Sequence, residues 1–538
     1  MRTRSQLTIS AVLLGVGLII GAAPLASAQG NQESEPRSRL DHGRQLAARH
    51  CSTCHLEPHP EILPRQSWQT ALGYMGLLMG MRDLDWLAGE PDVGRNTVAA
   101  RRDVLLRENA IPDDPALAES DWQALRDYYV DSAPETPLPQ ENKPPLDWEL
   151  PRFRVVDSDY RVPGAVTTLV HVRPGTGEAY IGDSALNTLT VLGTDGQIKL
   201  AGQRPATTIY PIDIVFTDDR AYVGSIGDLD ASRPTEDRLA HISALELVDG
   251  SIAGAPASIV VGGLYRMADM AVADLNGDGR LDFVACGFGH VTGRTSWFEA
   301  RADGSYTEHV LIPRAGGVKV EVADFNGDGR LDIAVLIAES REAFYVLVNA
   351  GGNRFERREI FETQPAYGHT YFELQDFDGD GLDDLLVVNG DNVDSDPYNT
   401  RKRYQGVRIY LNRGALRFEE AYFYPLYGAF IARSADFDND GDLDIAAISY
   451  FPDFSAALRE SFVYLENQGG LQFSASTSRE LTRGRWMTMD AGDLDGDGDV
   501  DVVLGGAYLQ LGMLTHLDLF VELRESGPAV MLLENTLH

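Results

Sequence analysis

The sequence predicts two folds in one chain: a small all-α domain, then an all-β ring of seven blades. Three observations predict this. A nine-residue acidic phrase recurs five times in the second half of the chain, as in "DLNGDGRLD" and "DFDGDGLDD". Only three cysteines occur among 538 residues, and two of them, Cys51 and Cys54, stand before His55 in a single Cys-x-x-Cys-His. Between these regions, Ser132 to Pro151 holds six prolines, which implies an extended, semi-rigid connector and a domain boundary.

The N-terminus bears on compartment. The basic "MRTR" leads into the apolar run Ala11–Ile20 and the small-residue triplet Ala26, Ser27, Ala28. That order reads as a secretory signal peptide, residues 1–28, cut after Ala28. The run is too short to span a bilayer, and no later run approaches ~20 apolar residues, so no transmembrane anchor is expected after cleavage. The chain is expected to be exported, periplasmic or at the cell surface. Its formal net charge of −35 argues against nucleic acid, which needs a basic footprint.

The α domain is expected over residues 38–135. Cys-x-x-Cys-His is the c-type haem attachment pattern. On a helix, positions i, i+3 and i+4 share a face, so Cys51 and Cys54 could form thioethers to one porphyrin edge while His55 ligates the iron. Zinc would need a second ligand pair that the chain lacks, and a redox dithiol would not need His55. "LDHGRQLAARHCSTCH", with Gly43 and Leu46 ahead of the motif, resembles the first helix of small class I c-type cytochromes. "SDWQALRDYYVDSA" resembles their terminal helix, with Ser120 as its N-cap and Trp122, Leu125, Tyr128 and Tyr129 as its apolar stripe. The resemblance implies one covalent haem c and a sixth iron ligand. Candidates are Met75, Met79 and Met81 in "ALGYMGLLMGM", and His59. The "MG" phrase at Met75 in proteins of this composite type favours Met75, with Met79 next.

The β region is expected over residues 152–538, after a proline-rich linker at 136–151. The acidic phrases begin at Asp274, Asp324, Asp376, Asp436 and Asp493, spaced by 50, 52, 60 and 57 residues. Repeats of that length indicate propeller blades. Within each unit an apolar strand leads into the acidic loop, a second apolar run such as "LDIAVLIA" follows, then "FYVLVNA" and a more polar "RFERREIF". Two further units without the loop begin near Ala165 and Tyr210, giving seven blades. The chain ends on "AVMLLENTLH", which matches a third strand. "RFRVVDSDYRV", residues 152–162, is expected to supply the missing outer strand and close the ring, since open edges invite aggregation.

The phrases carry oxygen ligands at alternate positions, as calcium requires. Side chains at positions 1, 3, 5 and 9 and the carbonyl at 7 give Asp274, Asn276, Asp278, Arg280 and Asp282. The later loops give Asp324, Asn326, Asp328, Arg330, Asp332; Asp376, Asp378, Asp380, Leu382, Asp384; Asp436, Asp438, Asp440, Asp442, Asp444; and Asp493, Asp495, Asp497, Asp499, Asp501. Turns rich in Asp and Gly are the simpler reading, but they do not require carboxylates at 1, 5 and 9 five times over. This array resembles the FG-GAP/VCBS family of calcium-loop propellers, as in integrin heads, and implies up to five structural Ca2+.

The whole chain resembles a bacterial exported cytochrome fused to an FG-GAP/VCBS propeller. The resemblance implies an electron-transfer protein rather than a self-contained enzyme, with a redox partner protein or a small-molecule electron donor. Two alternatives stand beside it. One is an oxidoreductase whose propeller mouth binds a small molecule; the other is an adhesion or structural surface protein. No nucleophile–His–acid set can be assembled, and Cys286 reads as a buried thiol. Val387–Gly406 is an unusually long polar segment within one blade, with Asn389, Asp391, Asn392 and Tyr404. It reads as a solvated loop or as part of a site, with His369 near the central channel.

Overall fold

The computed structural model describes residues 34–203, 210–227, 229, 239–252, 258–289, 291–392 and 396–537. The expected signal peptide, residues 1–28, lies outside them. No described helix is long and apolar enough to cross a membrane.

Four α-helices come first: α1 (Ser34–His50), α2 (Arg65–Leu78), α3 (Asp92–Arg107) and α4 (Glu119–Ser132). The first and last cross closely. A Cβ on Gly43 would lie 2.2 Å from the Ala124 carbonyl oxygen, so only glycine admits the crossing. Trp122, Leu125 and Tyr129 are buried beneath it, beside Leu46, Ala47 and Trp68. The N-cap of α4 is Ala118, not Ser120. The amides of Asp121 and Trp122 both bond to the Ala118 carbonyl, so the helix starts two residues earlier than expected and needs no side-chain cap.

Seven antiparallel sheets follow in chain order. Blade three shows the plan, with strands Met267–Ala273, Asp282–Gly287, Thr295–Ala300 and Tyr306–Ile312, each paired with the next. The inner strands of the other blades begin at Thr167, Pro211, Gly317, His369, Ala429 and Trp486. The ring closes as the sequence suggests: Phe153–Asp157 pairs antiparallel with Val530–Asn535 and completes blade seven. The proline-rich linker does more than connect. Leu146–Asp147 adds a parallel strand to the outer edge of blade six, and Gln140 Nε2 donates to the Gln405 carbonyl at 2.8 Å.

Burial explains the strand order. A blade's second strand lies between neighbouring blades, and its residues are buried throughout in blades three to seven. The fourth strand faces solvent, and that of blade four exposes "ERRE". One apolar layer fills each of the seven junctions; Cys286, fully buried, belongs to the layer between blades three and four.

The inner strands have an unpaired edge, and carboxylates cover part of it. Asp269 accepts from the Val320 amide, Glu373 from Ser434 and Asp490 from Val172, each at 2.8–2.9 Å and each from one blade to the next. Arg433 ties three blades by pairing with Glu373 and Asp490. Buried donors left unpaired are costly, so these bonds hold the blades in register around the axis.

Candidate functional site

The Cys-x-x-Cys-His segment does not continue the helix as expected. Helix α1 ends at His50, and Cys51–Thr53 form a 3-10 turn. Local hydroxyls explain the stop: Ser52 Oγ donates to the Ala48 carbonyl at 2.6 Å and Thr53 Oγ1 to that of His50 at 2.7 Å. They satisfy carbonyls that a further helical turn would have used. Both cysteines are unpaired thiols; Cys54 is exposed and Cys51 half-buried. Burial pushes the Cys51 thiol up to about 11, against the lowering effect of a hydrogen bond from Tyr129.

His55 is buried, and its Nδ1 lies 2.7 Å from the Leu56 carbonyl oxygen. A carbonyl only accepts, so Nδ1 carries the proton and Nε2 presents the lone pair. Burial lowers the His55 pKa and favours this neutral form. Two thiols and an oriented neutral imidazole are the donor set that a covalent haem requires, so these residues fit the group.

The candidate sixth ligands separate in space. Met75 and Met79 lie on the partly exposed side of α2 and its cap, whereas Met81 is 6% exposed. Met79 and Met81 pack in the cluster that Cys51 joins; Met75 packs instead with Tyr74, Leu77 and Leu105. His59 is exposed on the segment beside the propeller, where its amide donates to Gln364 Oε1 at 3.0 Å.

Val387–Gly406 is not a solvated loop. Among its described residues, Asn389, Asn392, Asp396, Thr400, Lys402 and Gln405 are buried, because the segment seats the helices. Ser67 of α2 donates to Asp396 Oδ2 at 3.0 Å and lies 2.8 Å from Thr400 Oγ1. Tyr404 donates to the Ile62 carbonyl and stacks on Tyr367 with ring centres 4.3 Å apart. His369, 3% exposed, is bound to Glu342 at 2.8 Å, between blades four and five. Reasoning from sequence missed Glu362 and Gln364, which accept from the amides of Leu56 and His59, and Arg341, which pairs with Glu362. The two amide contacts span about three hundred residues and leave no local pattern.

The acidic loops lie between the first two strands of blades three to seven. In the first, the amides of Asp278 and Gly279 bond to the two oxygens of Asp274, and the Arg280 amide to Asp278 Oδ1. The second and third loops repeat this wrap around Asp324 and Asp376. Backbone donors hold Asp324 below its usual pKa. The ninth-position carboxylates, Asp282, Asp332, Asp384, Asp444 and Asp501, are buried and accept from third-strand amides at 2.7–2.9 Å. Burial raises all five, Asp444 and Asp501 to about 6.

Three loops bring three carboxylates within 4.8 Å of one another: Asp376, Asp378 and Asp384; Asp436, Asp438 and Asp440; Asp493, Asp495 and Asp497. The other two have asparagine at position 3, and Arg280 and Arg330 fold back onto Asp278 and Asp328. Arg413 approaches Asp378 at 2.9 Å and Arg152 approaches Asp438 at 3.8 Å. Among the described residues, no cation pairs with Asp495 or Asp499. Asp499 is 2% exposed; burial and the neighbouring Asp497 raise its carboxyl, against the lowering effect of the Leu537 amide.

Residues 274–335 and 376–447 match the FG-GAP-like repeat family. The chain carries FG-GAP repeats on a seven-bladed propeller. The matched segments contain the first four acidic loops, and the fifth loop repeats their pattern in blade seven. No curated protein matches the chain. Among solved structures it is similar to the N-terminal domain of Nup159, at 10% identity and a TM-score of 0.40, covering 74% of this chain and 98% of that one. It is also similar to Saccharomyces cerevisiae Sqt1, at 10% identity and a TM-score of 0.39, covering 71% and 99%.

Proposed function

We propose that this protein is an exported monohaem electron carrier whose FG-GAP propeller is a calcium-stabilised docking scaffold. The observation that carries the reading is the donor set on one short turn: two unpaired thiols, then a neutral histidine with Nδ1 tied to a carbonyl and Nε2 left to ligate. When bound, the haem takes up and releases one electron.

The chain's own residues orient and enclose that group. Cys51 and Cys54 would attach it, and His55 would ligate its iron. Met75, Met79 or Met81 would supply a further ligand to the iron; Met79 is favoured because it shares the cluster with Cys51 and, unlike Met81, is partly exposed. Trp68 and Tyr129, 4.3 Å apart, wall the Cys51 side and exclude water. The acidic loops hold calcium, up to five ions. The crowded Asp493, Asp495 and Asp497 support the fifth loop most directly. The electron donor is a redox protein or a small molecule.

The test is expression of the full chain in a host competent in haem attachment, followed by denaturing haem stain and intact mass. The expected mass is that of the peptide plus one haem, lost when Cys51 and Cys54 are both replaced by serine. An unmodified peptide mass would refute the reading. A screen of donors then separates a carrier, reduced only by proteins, from an oxidoreductase reduced by a small molecule.

A further inference from the structure

We propose that the Arg341–Glu362 pair of blade four is a positioning element for His55 and sets the reduction potential of the bound haem. This rests on the haem reading of Cys51, Cys54 and His55. The two peptide groups flanking Leu56 are each held by one hydrogen bond. The Leu56 carbonyl accepts from His55 Nδ1 at 2.7 Å, and its amide donates to Glu362 Oε1 at 3.2 Å. Arg341 Nε lies 3.2 Å from the same carboxylate oxygen, and the Glu362 side chain is only 9% exposed. Two residues on, Gln364 Oε1 takes the His59 amide at 3.0 Å. The end of the outer strand Phe355–Thr363 therefore holds the segment behind the proximal histidine at two points.

The chemistry follows from the sign of each charge. The Leu56 amide and carbonyl belong to consecutive peptide groups, so Glu362 acts by fixing the position of residue 56 and by its charge, which is felt most strongly where the dielectric is low. An ionised Glu362 fixes residue 56, whose carbonyl holds the His55 proton, and so strengthens the Nδ1 bond. A stronger acceptor at Nδ1 makes the imidazole a more basic ligand, which favours ferric iron. The buried negative charge of Glu362 acts in the same direction. Arg341 opposes it, so the two residues set the potential between them. The propeller thereby reaches the iron's ligand without touching it, across about three hundred residues of sequence.

The experiment compares midpoint potentials of the full-length haem protein, Glu362→Gln and Arg341→Met, by redox titration followed in the haem absorbance. Glutamine keeps an acceptor for the Leu56 amide and removes only the charge, so the midpoint should rise. Methionine leaves Glu362 unopposed, so it should fall. Outer partners of metal ligands change affinity by roughly 10–100-fold. At the low end, a tenfold change in the oxidised-to-reduced ratio is about 59 mV for one electron. Opposite shifts are the expected result, because a loosened structure would move both variants the same way. Identical midpoints, or shifts of one sign, overturn the proposal and leave the haem reading standing. A chain that gains no haem mass overturns both. If one variant fails to accumulate, the direction of the other decides.

Discussion

Replacing Asp495 by asparagine separates a calcium loop from a tight turn. Asp493, Asp495 and Asp497 offer oxygens within 4.8 Å of one another. At that range two charges repel by roughly 1 kcal/mol in a water-like dielectric, less in salt. An ion bound at a hundredfold excess over its Kd stabilises the fold by about 2.7 kcal/mol. For the propeller's ~390 residues, an unfolding entropy of about 2.1 cal/mol/K per residue gives roughly 0.8 kcal/mol per degree, so one filled site is worth about 3 °C. The asparagine side chain would keep the oxygen that accepts the Asp497 amide at 3.2 Å, so the turn itself should survive. The assay is calorimetry of parent and variant, each with excess calcium and with chelator, alongside metal analysis. With calcium, the variant should melt about 3 °C below the parent. With chelator, it should melt at or above the parent, because one repelling charge is gone. A variant that loses the same amount in both conditions, or a metal-free parent with an unchanged Tm, would refute the reasoning.

Other outcomes follow from the same geometry. In metal-free protein, Asp444 and Asp501 have folded pKa values of about 6, above the unfolded value of about 4. The folded state therefore binds their protons more tightly, and their contribution is fully present below about pH 4 and lost as the pH rises through about 6. Asp501→Asn should flatten that part of the Tm–pH profile in chelator, and calcium should suppress it in the parent. Arg280→Ala and Arg330→Ala should tighten calcium at the first two loops, since each removes a competing guanidinium; titration calorimetry would read this. Met79→Ala should lower the midpoint and open the iron to carbon monoxide, while Met75→Ala should do neither; the reverse pattern restores Met75 as the ligand. Ser67→Ala removes the donor facing the buried Asp396 and should cost about 1–3 kcal/mol at the seat. Proteolysis between the helices and the propeller should then quicken.

The sequence by itself determined what is local or periodic. Blades repeat because each strand pairs with its neighbour in the chain, so spacing alone locates "LDIAVLIA" between two other blades and "RFERREIF" at the rim. The closing strand at Phe153–Asp157 was legible because the last unit ended one strand short. Asp and Gly at fixed offsets likewise placed the acidic loops. Tertiary structure alone decided what joins distant segments. Nothing periodic marks Val387–Gly406 as a seat for α2, because its burial depends on the shape of a domain about three hundred residues away. The linker's pairing with blade six was equally hidden, since any extended proline-rich segment reads as a free connector until an edge strand meets it. Arg280 and Arg330 were assigned for their carbonyls, yet their side chains turn onto neighbouring aspartates, a rotamer choice that ligand spacing does not encode. Glu362 and Arg341 are ordinary charges in a strand and a turn. The fold alone brings Glu362 against the amide of Leu56 and Arg341 against Glu362.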